Sequence, residues 1–458
     1  MFTGLPVWIA FAVVLALVVL VTTIRQTPAR ALGAAMAVSF VFPVWIVQDW
    51  FDQPIGLRTL AAIIGLLAFC VHPKGSIRSP ITLLDFCIGA MFIAHVWSDT
   101  LADGFSVGIP FRAYGEWVLP YVAGRFSIAR TRDLRFLRPW MLSVLVILSL
   151  TAIGESLFSF NIWDAVFGEP PTSEINRDGQ RFGFQRAYSM TLHPIFTAML
   201  LLLMLPWTRM NDGEERDVEA DDATDDQPSA LWQTLPLILL IAGVAAGISR
   251  GPILGLGIAA VVAWVLNHRR FLWPSLAAAA ILIVGAVIFP DAAVTVLEKF
   301  GGSHVRLVEV DGEVEEITGT RSRLLIYQAY GGPMLNAGLT GYGTIATNQF
   351  PPNIPYLEST RDSVEKLRLV DNAYVLLILR FGWLGLACFI LLFLTALGTA
   401  IYLSSDPQIR RWCTVFAGCL VASLMVFFTV WMSYDFGFYL LWSVGLLSGL
   451  ASARQKQS

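Results

Sequence analysis

Apolar runs long enough to cross a bilayer recur from one end of this sequence to the other, and no other feature restricts its fold so tightly. A helix crossing hydrocarbon needs about 20 predominantly apolar residues. Such runs lie near residues 5–24, 31–48, 57–72, 81–98, 109–128, 139–158, 191–207, 231–248, 252–267, 271–290, 372–402, 413–431 and 436–452. Charge is correspondingly scarce: Asp, Glu, Lys and Arg make up 14% of the 458 residues, against about 25% in a soluble domain. That balance excludes a disordered chain and a basic nucleic-acid binder, and argues against an ordinary soluble enzyme. In lipid each backbone polar group must be satisfied within its own segment, so the runs read as helices. The predicted fold class is an all-α polytopic membrane protein with about 12–13 transmembrane helices.

Bases in the short connections orient the bundle, because Lys and Arg beside spans stay cytoplasmic. Arg25/Arg30, Lys74/Arg78, Arg130/Arg132/Arg135/Arg138, Arg209/Arg216, Arg269/Arg270, Arg410/Arg411 and Arg454/Lys456 fall on alternate connections, and segments 49–56 and 99–108 carry no base. The C-terminus is then cytoplasmic and the N-terminus opposite. Arg25 and Arg30 follow the first run instead of preceding it, unlike the bases of a cleavable leader. The chain divides into N-terminal helices (1–158), central helices (159–290) with an outer loop 159–190 and an acidic inner loop 208–230, a large outer loop (291–371) and C-terminal helices (372–458). Residues 211–227 hold nine of the 34 acids and read as a solvated linker. Within the large loop, HVRLVEVDGEVEEI reads as a hairpin turning at Asp311–Gly312, a dipeptide suited to a type I′ turn. Cys70, Cys87, Cys388, Cys413 and Cys419 lie in or beside apolar runs without metal-site spacing, so neither a disulfide framework nor a zinc site is expected.

Charges at or inside the membrane are costly, so each is a functional candidate. On the outer side Arg177, Arg181 and Arg186 precede His193 in RDGQRFGFQRAYSMTLHP. Arg250 sits in SRGP at a tight break between two spans. Arg321 and Arg323 lie in TGTRSRLLIYQAYGGP, ahead of the Gly-rich GLTGYGT, and Asp371 and Asn372 open the span DNAYVLLILRFGWLG. Guanidinium forks grip phosphate oxygens in bidentate fashion, and backbone amides of Gly-rich turns add donors. A carboxylate beside them can take the proton of an attacking hydroxyl. The set suits a lipid-linked pyrophosphate. Locally, Asp371 reads as a helix cap and His193 as a helix-start residue. Arg112 and Glu116, four apart, are expected to pair within the bundle. Arg125 near the inner edge reads as a topological anchor that snorkels to headgroups.

The order of these motifs resembles the O-antigen ligase/polymerase superfamily of bacterial envelope glycosyltransferases, related to the GT-C class. The resemblance is carried by Ser249-Arg250-Gly251, by R-x-R-L-x-x-Y-x-A from Arg321, and by Asn372 with Gly382, and it is best over about 180–395. It implies transfer of a glycan from undecaprenyl pyrophosphate to an acceptor hydroxyl at the periplasmic face of the bacterial inner membrane. It further implies pyrophosphate binding by Arg186 (or Arg181) and by Arg321 (or Arg323). Family ligases have His-Asn where this chain has Asp371-Asn372, which turns the expectation from ligase towards repeat-unit polymerase. Arg186 and Arg321 are then catalytic with Asp371, which deprotonates the acceptor. Arg250, Arg323, Arg181, Asn372, His193 and Tyr327 bind substrate. Residues 291–371 form a lid that meets sugars through Tyr327, Tyr330, Tyr342 and Tyr356. Displacement at the anomeric carbon is inverting and needs neither metal nor cofactor. The expected partners are the lipid-linked glycan, membrane lipid and a chain-length regulator or other assembly protein. A ligase, and a transporter without enzymatic activity, are the alternatives.

Overall fold

The computed structural model describes residues 5–50, 53–71, 80–170, 179–210, 230–275, 277–278, 305–310, 313–349, 352–355 and 370–456. Among them the chain is overwhelmingly helical, as an all-α polytopic membrane protein requires. In chain order the helices are α1 (Leu5–Arg25), α2 (Pro28–Ser39), α3 (Leu57–Val71), α4 (Leu83–Asp103), α5 (Gly108–Ala113), α6 (Leu119–Phe126), α7 (Thr131–Phe158), α8 (Ile162–Phe167), α9 (Pro194–Leu203), α10 (Ala230–Ala246) and α11 (Arg250–Asn267), followed by α12 (Gly319–Asn336), α13 (Thr344–Asn348), α14 (Ala373–Leu403), α15 (Arg410–Val426) and α16 (Tyr434–Gln455). The strands form three small antiparallel hairpins: β1 (Val47–Trp50) with β2 (Gln53–Gly56), β3 (Gln180–Arg181) with β4 (Phe184–Gln185), and β5 (Val305–Val310) with β6 (Glu313–Thr318).

Twelve of the thirteen apolar runs become one of these helices or a short series of them, while most of 271–290 lies outside the described residues, as do Arg177, the acidic stretch and Tyr356. Five helices are long and apolar enough to cross a membrane: Val7–Arg25, Thr131–Phe158, Arg250–Asn267, Ala373–Leu403 and Tyr434–Gln455. The expected loop hairpin is present, with Val310 opposite Glu313, while Asp311 and Gly312 lie outside the described residues.

The core is centred on α16, whose residues are buried from Asp435 to Ala453. Around it pack α6, α9 and α14. Trp442 and Tyr439 meet Phe40 edge-on, and Trp207 donates to the Tyr439 hydroxyl at 2.7 Å. Two of the basic connections meet where Arg30 pairs with Asp133 at 2.8 Å. Arg125 does not snorkel. It is buried, donates to Ser448 Oγ (3.1 Å) and to the Pro80 carbonyl (2.7 Å), and pairs with Asp85. An internal carboxylate on α4 offers it a partner closer than any headgroup, which is why the anchor expectation fails here.

One span is broken within the bundle. Gly382, inside α14, has φ 66° and ψ −169°, a conformation open almost only to glycine. The break frees carbonyls above it and amides below it, and the segment Gly338–Gly343 satisfies both sets. Tyr342 N donates to Leu379 O (2.7 Å) and Gly343 N to Arg380 O (3.1 Å), while Trp383 N donates to Gly338 O and Leu384 N to Leu339 O (both 3.1 Å). Irregular backbone at membrane depth survives only where protein replaces the missing bonds, and here a loop does so.

Candidate active site

Arg181, Arg186, Arg250 and His193 lie near one another where α9 starts, α10 ends and α11 begins. Ile248, the residue that turns α10 into α11, has a left-handed φ of 44°, and the stretch Arg181–Ala187 runs along that turn. Arg181 Nη1 donates to Ile248 O (3.4 Å), Arg186 Nη2 to Ser249 Oγ (3.2 Å) and Ala187 N to Ala246 O (3.1 Å). The Ser249 hydroxyl, held by Gly247 O at 3.0 Å, makes no cap of its own for α11. Arg250 opens that helix with its side chain exposed.

His193 is the N-cap of α9: its Nδ1 accepts from Ile195 N at 3.2 Å. An accepting Nδ1 carries no proton, so the ring is the neutral Nε2–H tautomer. Burial first, then the nearby Arg186 and Arg181, lower its pKa to about 4. The cap reading of His193 therefore holds, and the same ring stands within the field of both arginines.

A second group lies at the start of α14. Asn372, not Asp371, is the N-cap: its Oδ1 accepts from Tyr374 N (3.0 Å) and Val375 N (3.1 Å), and its Nδ2 donates to the Tyr327 hydroxyl (2.6 Å) and Phe428 O (3.1 Å). The amide serves as acceptor and donor at once, which a carboxylate cannot do, so Asn takes the cap. Asp371 is left one residue outside, exposed. Tyr327 is 36% exposed, and its phenol is pushed above its ordinary value by partial burial, so it stays a neutral hydroxyl. Arg321 and Arg323 fall on the first turns of α12, ahead of Tyr327 on the same helix; their side chains lie outside the described residues. The two groups border each other at the end of α15. Asn372 binds Phe428 O there, and a Cβ on Gly251 would lie 3.6 Å from Thr429 and Val426.

Several expectations change. The amides of Tyr342 and Gly343 are spent on α14, that of Gly341 on Ala337 O and that of Thr344 on Asp99 Oδ1 (2.8 Å), so these four are taken up in plugging the break and not in cradling phosphate. Tyr330 is fully buried among Ile326, Val375 and Leu379, and the Tyr342 hydroxyl donates to Pro333 O at 2.8 Å, so both pack, whereas Tyr327 is exposed. Arg112 pairs with Asp99 at 3.5 Å instead of with Glu116, which turns to His95 Nδ1 at 3.7 Å. The cause is local: Tyr114–Val118 is a π turn, whose wider winding breaks the four-residue register.

That polar cluster was invisible to pattern reading. Trp117 Nε1, a donor only, gives its hydrogen to His95 Nδ1 at 3.1 Å, which forces the His95 proton onto Nε2, 3.2 Å from Asp99 Oδ2. Two further side chains brace the arginine group from behind. Glu155, buried at the end of α7, accepts from Tyr188 N (3.2 Å) and Ser189 N (2.7 Å). Arg58, 2% exposed, donates to Tyr434 O (3.3 Å) and Asp435 O, and Asp435 in turn accepts from Leu192 N (3.3 Å) beside His193. Each is a lone charge at the rim of an apolar run, the signal that could have marked it.

Fold and site together define a polytopic membrane protein that gathers Arg181, Arg186 and Arg250 at the turn between α10 and α11. Residues 235–390, from α10 into α14, match the family described as O-antigen ligase, in line with the resemblance to the O-antigen ligase/polymerase superfamily. No curated protein matches the chain.

Proposed function

We propose that the protein is a polysaccharide polymerase that joins undecaprenyl-pyrophosphate-linked oligosaccharide units at the periplasmic face of the bacterial inner membrane. The observation that carries this reading is the convergence of Arg181 and Arg186 on the Ile248–Ser249 turn that ends at Arg250. Two arginines held by hydrogen bonds, with Arg250 next in the chain and a neutral histidine beside them, suit a leaving group that gains negative charge. In the reaction the acceptor hydroxyl oxygen bonds to the anomeric carbon as the bond from that carbon to the pyrophosphate oxygen breaks. Its proton passes to Asp371, and the configuration inverts. Arg186, Arg250 and Arg321, with Arg181 and Arg323 beside them, neutralise the departing pyrophosphate in the role a metal fills elsewhere. Tyr327, positioned by Asn372, holds the acceptor sugar at the start of α14. The bases on alternate connections support a cytoplasmic C-terminus by the positive-inside rule.

The second reading is a ligase that moves a finished glycan to a separate acceptor, and the description of the matching family favours it. Reconstituted protein supplied with the lipid-pyrophosphate oligosaccharide, with and without a candidate lipid acceptor, separates the two. A ladder of products from donor alone, abolished in Arg186→Ala and Asp371→Ala, is the polymerase result. A single addition that requires the second acceptor makes the protein a ligase. Intact donor that binds but never reacts in either mixture overturns both.

A further inference from the structure

The hairpin β3–β4 carries Arg181 and leads directly to Arg186, yet its tip has a different character. Phe182 and Gly183 form the two-residue turn between the pairs Arg181↔Phe184 and Gln180↔Gln185. Both have positive φ, 55° and 82°, the signature of a type I′ turn, whose first position favours Asn, Asp or Gly. A bulky aromatic in the left-handed region is an outlier that the surrounding fold must maintain. Phe182 is moreover 82% exposed, so no packing within the described residues accounts for it.

The position of the tip supplies the account. Arg181 and Ala187 tie the segment to Ile248 and Ala246, at the level where α10 ends and α11 begins. At the same level α7 ends in exposed Leu157 and Phe158, and the chain continues through exposed Phe160, Ile162 and Val166 of α8 to this hairpin, where Phe184 is exposed too. The apolar surface is therefore continuous with the lipid-facing side of a membrane-spanning helix, and aromatic side chains are favoured at that depth.

We infer that the β3–β4 hairpin is a membrane anchor, inserting Phe182, with Phe184 and Phe158 beside it, into the outer-leaflet interface. Because the same hairpin positions Arg181 and Arg186, the anchor fixes the arginine group at the height of lipid phosphates. That second consequence rests on the functional reading above; the anchor itself does not.

The test places a nitroxide at Phe182→Cys in a Cys70→Ser background. The full chain is reconstituted in vesicles of phosphatidylethanolamine with phosphatidylglycerol, and spin relaxation by oxygen is compared with relaxation by a water-soluble nickel chelate. The lipid reference is the same label at Leu254, exposed on the first turn of α11. Insertion gives oxygen relaxation several-fold above that by nickel, approaching the Leu254 value. Nickel relaxation that dominates, as in bulk water, overturns the anchor. So does a label shielded from both whose spin–spin broadening disappears when the protein is diluted in lipid, since a second copy would then cover the tip. On the unmodified chain, amide exchange across Phe182–Phe184 slows several-fold between lipid-free amphipol and vesicles; equal rates overturn the proposal independently of any label or of activity.

Discussion

Replacing Gly382 with alanine tests whether the loop plug holds the broken span together. At φ 66° and ψ −169° a side chain strains the backbone by about 1–3 kcal/mol. The added Cβ would also sit within the contact radius of the Leu339 carbonyl, which is backbone and cannot rotate away. Relief requires the plug to withdraw, and four hydrogen bonds of 2.7 to 3.1 Å cross the break. At about 1 kcal/mol each, their loss with the strain puts the local cost at about 4 kcal/mol or more. Hydrogen exchange in detergent reads this directly. Amides of Tyr342, Gly343, Trp383 and Leu384 should exchange roughly a thousandfold faster in Gly382→Ala than in wild type, since each 1.4 kcal/mol is a factor of ten. The control is Gly398→Ala on the same helix, where a Cβ meets nothing within 4 Å and the effect should be neutral or slightly stabilising. Wild-type protection at all four amides in Gly382→Ala would refute the reasoning.

Two further outcomes follow from the geometry. Asp99→Asn keeps an acceptor for Thr344 N but turns an NH2 toward the His95 Nε2–H and leaves Arg112 without its carboxylate. Breaking a buried pair costs about 3–5 kcal/mol, so thermal stability should fall clearly while Asp103→Asn, exposed on the same helix, leaves the melting temperature unchanged. His193 gives a pH signature: its pKa of about 4 in the fold lies below the ordinary value near 6.5. Between those values the unfolded chain binds a proton that the fold refuses, so stability falls as pH drops through that window, by up to about 3 kcal/mol. His193→Gln should flatten the midpoint-versus-pH curve there; an unchanged slope would show that another group sets it.

Much of this architecture is written locally. Apolar runs of bilayer length fix the helices, because hydrocarbon leaves the backbone no alternative. The arginine group was legible from those runs: Arg181, Arg186 and Arg250 stand at the rims of consecutive spans, and rims on one side meet. What escaped depended on contacts between distant segments or on a change of winding. GLTGYGT looks like a ligand loop until Gly382, some forty residues on, is seen to need its amides. Arg112 and Glu116 share a helical face only if the turn between them is α, and it is π. Asp371 and Asn372 are near equivalents as caps in isolation, and Tyr327 and Phe428 O decide between them by asking for a donor.

The burial of α16 bears on how the molecule comes into being. Its backbone crosses α6 so closely that a Cβ on Gly445 would meet the Tyr121 carbonyl and one on Gly124 the Trp442 carbonyl, leaving no room for lipid between them. Yet α16 is translated after every helix it packs among. Its neighbours must therefore wait in the bilayer with a groove held open or temporarily lipid-filled, and Arg125, which finds Ser448 only on that last helix, waits with them. Maturation of this bundle is thus a closing event from the inside outward, and membrane chaperones would meet it as a ring lacking its axle.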